Sequence, residues 1–414
     1  MIAPLTKLLD WSAVQAVTLM MPPDCMQRPR LEEALEFLKG PEFIPNESQP
    51  AQVEFDPGKS GMHFRFPSPR PGNCSENNMV YGRFYRCGER WQERPVVILL
   101  HGSGDSLNYN FRFPLIARRC NRAGFNAAAL VAPYHFQRRP RQLGGSLGYS
   151  DCLQFAEATA QAIAEIRALS GWLLGKGCPA VALWGYSMGA WYAGMAACRD
   201  ARLAAVVLGA TCARMNPWAE QRAVRPRVRA RLPLVRGLCD GLNLTAMNLL
   251  TAQPVIPKKQ ILLLEASYDS MICPKEDTED LWRAWEKPDI WRLPHGHVGV
   301  CCGFVPGLPE RVLRWLTPRL GSRKTVISGM PDRENISTSH TERQNLTMRM
   351  SMRRFTRLTN GFSKKVESHE HALALYFMYY NFARVHQTLR VTPAMEAGIA
   401  DHVWTLEEIV CLIK

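Results

Sequence analysis

Cys-x-x-Cys pairs are absent, although thirteen cysteines are scattered through the 414 residues. Without such pairs, and with Cys301 and Cys302 merely adjacent, no zinc site is expected. No secretory leader is evident, so the expectation is reduced thiols in the cytoplasm. The mainly apolar run Ala13–Met21 has no basic segment before it and is too short to cross a bilayer. Acidic charge is in short supply: 37 Asp and Glu stand against 51 Lys and Arg, a formal net charge of +14. Concentrated in one place, such a surplus would attract nucleic acid or an anionic surface. It is spread instead, with 13 basic and 9 acidic residues from Gly321 onward against 38 and 28 before it. The 46% apolar share and ordinary glycine and proline counts describe a globular chain, long enough for one large domain plus a small one. No cofactor and no metal are expected.

What is present centres on Val181-Ala-Leu-Trp-Gly-Tyr-Ser-Met-Gly-Ala190. The apolar run Val181–Trp184 predicts a short buried strand, and the small-residue run Ala190–Cys198 predicts a helix. Between them stands Gly185-Tyr-Ser-Met-Gly189. Strand, G-x-S-x-G and helix in this order make a turn sharp enough to strain the serine backbone and expose its Oγ. A Cβ at either flanking glycine would collide with the neighbouring strand or helix.

Residues 1–50 predict a helical N-terminal extension, clearest in Arg30–Leu38. Gln52–Phe55, Met62–Phe66 and Met79–Cys87 predict successive antiparallel strands separated by turns. Pro95–Leu100, Phe125–Ala132, Leu203–Gly209, Gln260–Glu265 and Ile290–Leu293 predict buried strands. Helices are predicted at Phe113–Ala123, Asp151–Leu174 and Pro309–Leu316. Strands alternating with helices point to the α/β class, with a mostly parallel sheet covered on both faces.

Over residues 51–320 these features resemble the alpha/beta-hydrolase family. His101-Gly102, after a buried strand, is similar to the family's oxyanion loop, and Gly185–Gly189 to its nucleophile elbow. Tyr268-Asp-Ser-Met-Ile-Cys-Pro274 resembles the acid loop and Pro294-His-Gly-His-Val-Gly299 the histidine loop. Pro133-Tyr-His-Phe-Gln-Arg-Arg-Pro140, with Gly-x-Ser-Met-Gly, resembles the alpha/beta hydrolase domain-containing 18 group. The order Ser187, Asp269, His297 is the order this fold uses. The resemblance implies Ser187 as nucleophile, His297 as its base and Asp269 as the acid that orients the imidazole. It also implies backbone N–H groups of Met188 and of Ser103 or Gly104 as the oxyanion hole. Glu265, Asp277 and Asp280 compete with Asp269, and His295 competes with His297. His101 either braces the oxyanion loop or touches substrate, His135 either lines the pocket or caps the strand, and Tyr186, like Trp184, either packs or touches substrate.

Residues 211–255 leave the strand-helix rhythm and are expected to form a cap. The cap carries Arg222, Arg225, Arg227, Arg229, Arg231 and Arg236, either as a solvated face or as a patch for an anionic ester or a phospholipid surface. Arg138, Arg139 and Arg141 would add to the same side. Residues 321–414 resemble the C-terminal part of DDE-type transposases of the insertion-sequence-one group. The resemblance rests on Ile336–Met350, Arg353–Ser363, Tyr379–His386 and Thr392–Gly398. It makes Glu342 a lone remnant of a three-acid metal site, incapable of holding a metal pair. The basic helix around Arg349–Arg357 would give the tail weak, non-specific DNA contact. The function expected is an esterase or lipase-like serine hydrolase acting on a small-molecule or lipid ester, with an inert transposase-derived tail. A non-catalytic binding protein of the same fold and a DNA-binding or recombination protein are the rival readings.

Overall fold

The computed structural model describes residues 2–20, 30–40, 43, 49–58, 61–140, 151–214, 240–243, 245–270, 272–321, 338–352, 355 and 365–412. The chain divides into two compact units, Met1–Lys324 and Thr325–Lys414.

The first unit opens with helices α1 (Ile2–Met20) and α2 (Leu31–Lys39). On α2 the buried Ala34 and Leu38 lie four apart and so share one face. Strands β1 (Glu54–Gly58), β2 (Gly61–Pro67) and β3 (Met79–Tyr85) form an antiparallel meander. Strands and helices then follow in sequence: β4 (Val96–Leu100), α3 (Phe113–Arg122), β5 (Asn126–Leu130), α4 (Cys152–Gly175) and β6 (Val181–Tyr186). Next come α5 (Met188–Ala197), β7 (Leu203–Gly209), β8 (Ile261–Ala266) and α6 (Lys275–Ala284). Strand β9 (Asp289–Leu293), the short α7 (His297–Cys301) and α8 (Leu308–Leu320) complete the unit. Asp151 caps α4 by accepting from Gln154 N–H at 2.8 Å, which fixes where that helix starts.

Among the described residues the sheet has nine strands in the order β1-β2-β3-β5-β4-β6-β7-β8-β9. β3 pairs with β5 antiparallel, and every pairing from β5 through β4 to β9 is parallel. β4, β5 and β6 are buried at every position because helices cover both faces. Alternation divides β4 between two cores. Val96, Ile98 and Leu100 pack with α4 and α5, while Val97 and Leu99 pack with α3 and α8. The strand order reverses at β4, whose two edges carry β5 and β6, so the segments leaving the carboxyl ends of β4 and β6 diverge around a crevice.

Two expectations are corrected in this unit. Cys212 and Cys273 are joined by a disulfide across 61 residues, so the expected set of reduced thiols does not hold for this pair. No local spacing announces it, since the two cysteines meet only because β7 and β8 are neighbours. Arg138 does not join a basic surface. It is fully buried and forms a two-pronged ion pair with Glu165 of α4, with Nη1–Oε2 at 2.7 Å and Nη2–Oε1 at 2.6 Å. The cap arginines Arg222, Arg225, Arg227, Arg229, Arg231 and Arg236, with Arg141, lie outside the described residues.

In the second unit, α9 (Thr338–Ser351) is followed by α10 (Val366–Met378), which continues into a π turn at Tyr379–Ala383, then by α11 (Pro393–Glu396) and α12 (Leu406–Cys411). The basic helix expected through Arg357 stops at Ser351, and Arg353, Arg354 and Arg357 lie outside the described residues, as does the side chain of Glu342. Phe382 packs its ring on Trp404 at 4.6 Å, and Tyr376, Ala394 and Ile409 are buried, while Leu375 and Phe377 remain exposed.

Candidate active site

The turn between β6 and α5 holds Ser187 at φ 52° and ψ −122°, a conformation that L-residues rarely adopt. Neighbouring backbone holds the turn in place. Ser187 N–H donates to Gly209 O of β7 at 2.8 Å, and Trp191 N–H donates to Ser187 O at 3.0 Å. A Cβ on Gly189 would meet Leu100 O and lie 2.6 Å from His101 O, and one on Gly185 would lie 2.5 Å from Ala190 N. Only glycine lets the strand, the turn and the loop after β4 approach this closely.

Two further loops reach the serine. After β8, the Asp269 carboxylate accepts from Ile272 N–H and Cys273 N–H, each at 2.9 Å. After β9, α7 begins at His297, whose Nδ1 lies 2.8 Å from Asp269 Oδ2 and whose Nε2 lies 3.0 Å from Ser187 Oγ. A carboxylate only accepts, so Nδ1 carries a proton, and in the neutral ring Nε2 offers its lone pair to the serine hydroxyl. Asp269 is 2% exposed and His297 5% exposed, so this hydrogen-bonded chain is largely shielded from water. Burial alone pulls the imidazole toward its neutral form. Cys301 and Asp269 outweigh it and hold the ring well above the ordinary histidine value of 6.5.

The competing candidates point elsewhere. Glu265 hydrogen-bonds Ser267 Oγ at 2.8 Å and faces Arg292. Asp277 accepts from Ala213 and Arg214 N–H, and Asp280 pairs with Arg214. His295 uses its backbone instead, its carbonyl accepting from Tyr268 N–H at 3.0 Å and thereby tying the histidine loop to the acid loop. A cavity of about 440 Å³ beside Glu265, Glu279 and Arg292 includes neither Ser187 nor His297.

The residues expected to brace the loop, to pack or to touch substrate are all buried. His101 is 1% exposed and uses both ring nitrogens: Nε2 accepts from Ala132 N–H at 3.1 Å, so Nδ1 donates to Gly102 O at 2.8 Å. Its ring braces the loop after β4, and burial pushes it down to about 4, so it stays neutral. His135 is 7% exposed, turns Nδ1 to Pro133 O, packs on His101 at 5.0 Å and is pushed by burial down to about 3. Tyr186 is fully buried, with the Arg112 guanidinium 4.4 Å from its ring centre, because strand alternation turns its side chain into the core opposite to the crevice-side turn. Of the expected oxyanion donors, Met188 opens α5, and Ser103 and Gly104 form the turn after β4, with Gly104 at φ +63°. Gly102 stands next to the serine, since a Cβ there would lie 3.2 Å from Ser187 Cβ.

One carboxylate at the site escaped the sequence reading. Asp10 of α1 is 1% exposed and accepts from His297 N–H at 2.8 Å and Val298 N–H at 2.9 Å. Its separation of 287 residues from His297 leaves no local signal.

The sheet order and the three loops at its carboxyl edge are those of the alpha/beta-hydrolase fold. Residues 59–217 match the family model described as alpha/beta hydrolase domain containing 18. That span of the hydrolase fold reaches from the β1–β2 hairpin past β7 and contains Ser187, while Asp269, His297 and Asp10 lie outside it. An uncharacterized protein of Mycobacterium tuberculosis, found in two strains, is 26% identical over 255 residues, covering 56% of this chain and 58% of its own length. The chain thus spans less than two thirds of these relatives. Among solved structures, the chain is similar to the Pyrococcus furiosus esterase Pf2001, at 16% identity over 65% of this chain and 94% of that one, with a TM-score of 0.44. It is also similar to acetyl xylan esterase 1 of Thermoanaerobacterium, at 13% identity over 73% and 98% of the two chains, with a TM-score of 0.46. At these values neither likeness bears on activity.

Proposed function

We propose that the first unit is a serine hydrolase that cleaves a carboxylic ester of a small molecule or lipid through an acyl-enzyme. The observation that carries this reading is the single imidazole of His297 lying between Asp269 and the strained Ser187, at 2.8 and 3.0 Å. Ser187 Oγ attacks the ester carbonyl while its proton passes to His297 Nε2, and Asp269 stabilises the imidazolium that forms. The carbonyl oxygen, now negative, takes hydrogen bonds from Met188 N–H and from Ser103 or Gly104 N–H. A trans peptide aims its N–H opposite to its C=O, so pinning Gly102 O on the His101 ring turns Ser103 N–H away from that ring. Collapse of the tetrahedral adduct expels the alcohol, which takes the proton from His297. Water then repeats the sequence on the acyl-enzyme, with His297 again as base, and releases the acid.

Ser187→Ala is expected to abolish hydrolysis of chromogenic esters and labelling by a fluorophosphonate, with the melting temperature unchanged. Activity within about tenfold of wild type would sink the reading, since losing a member of such a triad typically costs far more. His297→Ala is expected to lower kcat/KM far more than His295→Ala. A series of esters of increasing acyl length identifies the substrate class.

The second unit is read as transposase-derived and inert in strand transfer, because the resemblance supplies only Glu342 of the three acids that would bracket two metal ions, with at most weak DNA contact. Truncation after Leu320 is expected to leave hydrolysis within about twofold, because the sheet and α8 are complete by that point. Loss of folding or activity would make the tail part of the enzyme.

A further inference from the structure

Helix α7 is five residues long, too short to hold itself together in water, yet it carries His297 as its first residue. Its N-terminal amides need acceptors, and its own N-cap, Gly296, has no side chain to supply one. Asp10 supplies both acceptors from α1, one carboxylate oxygen to His297 N–H and the other to Val298 N–H. A Cβ on Gly296 would come within 2.8 Å of Asp10 Cγ, so the glycine makes room for the carboxylate. At the other end, Arg112 donates to Val300 O at 3.2 Å and to Cys301 O. An anion at the N-terminus and a cation at the C-terminus both suit the helix dipole.

We propose that Asp10 is a positioning residue for the His297 base, fixing its backbone so that the ring spans Asp269 and Ser187. This rests on the hydrolase reading above. Asp10 acts through two amide hydrogen bonds and through its charge, which favours the imidazolium formed when Ser187 attacks. Among the described residues, the charged or titratable groups facing this helix are Asp10 from α1, Asp269 from the acid loop, His295 from the loop before α7, Tyr186 from β6, Cys301 and Cys302 from the end of α7, and Asp105 and Arg112 from the segment after β4.

The test is full-chain Asp10→Asn, assayed on the ester that wild type hydrolyses best and by the rate of fluorophosphonate labelling. The amide keeps one neutral acceptor and turns a donor toward the other backbone N–H, and this is expected to lower kcat roughly tenfold to a hundredfold, with KM within about twofold. The acid limb of the kcat/KM profile moves to lower pH, because removing a nearby negative charge makes His297 easier to deprotonate. Asp10→Glu keeps the charge and is expected to leave the acid limb in place. On a His297→Ala background, Asp10→Asn has little further effect on the residual rate, as a residue acting through His297 requires. Wild-type kcat with an unmoved limb in Asp10→Asn, or an equal loss on the His297→Ala background, overturns the proposal. Should Asp10→Asn fail to fold, Asp10→Glu decides by its labelling rate: slower than wild type at an equal melting temperature supports the role, and an equal rate ends it. If wild type itself is not labelled at Ser187, the hydrolase reading falls. If wild type and Asp10→Asn label equally fast, only the positioning role falls.

Discussion

Replacing Glu165 by glutamine tests the buried knot behind the active-site loops. Both Glu165 and Arg138 have fully buried side chains. Glu165 accepts two hydrogen bonds from the guanidinium and a third from Ser68 Oγ at 2.7 Å, and Arg138 also donates to Val131 O at 2.9 Å and Asn77 O at 2.7 Å. The amide of Glu165→Gln removes the charge and turns one acceptor into a donor facing a guanidinium N–H. A full positive charge is then left in the core without a counter-ion, for which the cost is about 3–5 kcal/mol. At a urea m-value of about 3 kcal/mol/M, the unfolding midpoint falls by about 1–1.7 M. Arg138→Met with Glu165→Leu removes both charges, but it takes the Arg138 donor from Val131 O, while Asn77 O keeps Gln161 Nε2 at 3.1 Å, and so is expected to recover only part of the loss. Because Ala132 N–H holds His101 Nε2 one residue beyond Val131, the folded Glu165→Gln protein is also expected to hydrolyse ester more slowly. Urea melts of wild type and the two variants followed by tryptophan fluorescence decide the matter. A Glu165→Gln midpoint shift below about 0.3 M, with m unchanged, would show that water or a neighbour satisfies Arg138 and that the pair contributes little.

The acid limb of kcat/KM is expected above pH 6.5, since His297 must be neutral to take the serine proton and its partners hold it protonated beyond that value. A limb at or below 6.5 in the pH profile would contradict this. Removing the disulfide with Cys212→Ala and Cys273→Ala is expected to cost up to about 4 kcal/mol, because the unfolded chain regains the freedom of a loop closed across 61 residues. The same double variant is expected to label more slowly at Ser187, because Cys273 N–H holds the Asp269 carboxylate. An unchanged urea midpoint and labelling rate would refute both effects.

Sequence alone determined what depends on neighbours in the chain. The continuous apolar run Val96–Leu100 marks a strand covered on both faces, and the elbow strand, its two glycines and the helix after it are local patterns of period and size. Element ends were less accurate: α8 runs from Leu308 to Leu320 rather than from 309 to 316, because burial of Leu308 and Leu320 extends it. Tertiary structure decided what depends on distant partners. Arg138 reads as a surface charge until α4 brings Glu165 to it, and Cys212 reads as a free thiol until the adjacency of β7 and β8 brings Cys273 within bonding distance. Whether His295 or His297 faces Ser187 turns on which one opens α7, and α7 stands where it does because Asp10 and Arg112 hold its two ends. The Arg138–Glu165 pair spans 27 positions and the Asp10 cap 287, and both form only where the fold brings the partners together, so no spacing along the chain encodes them.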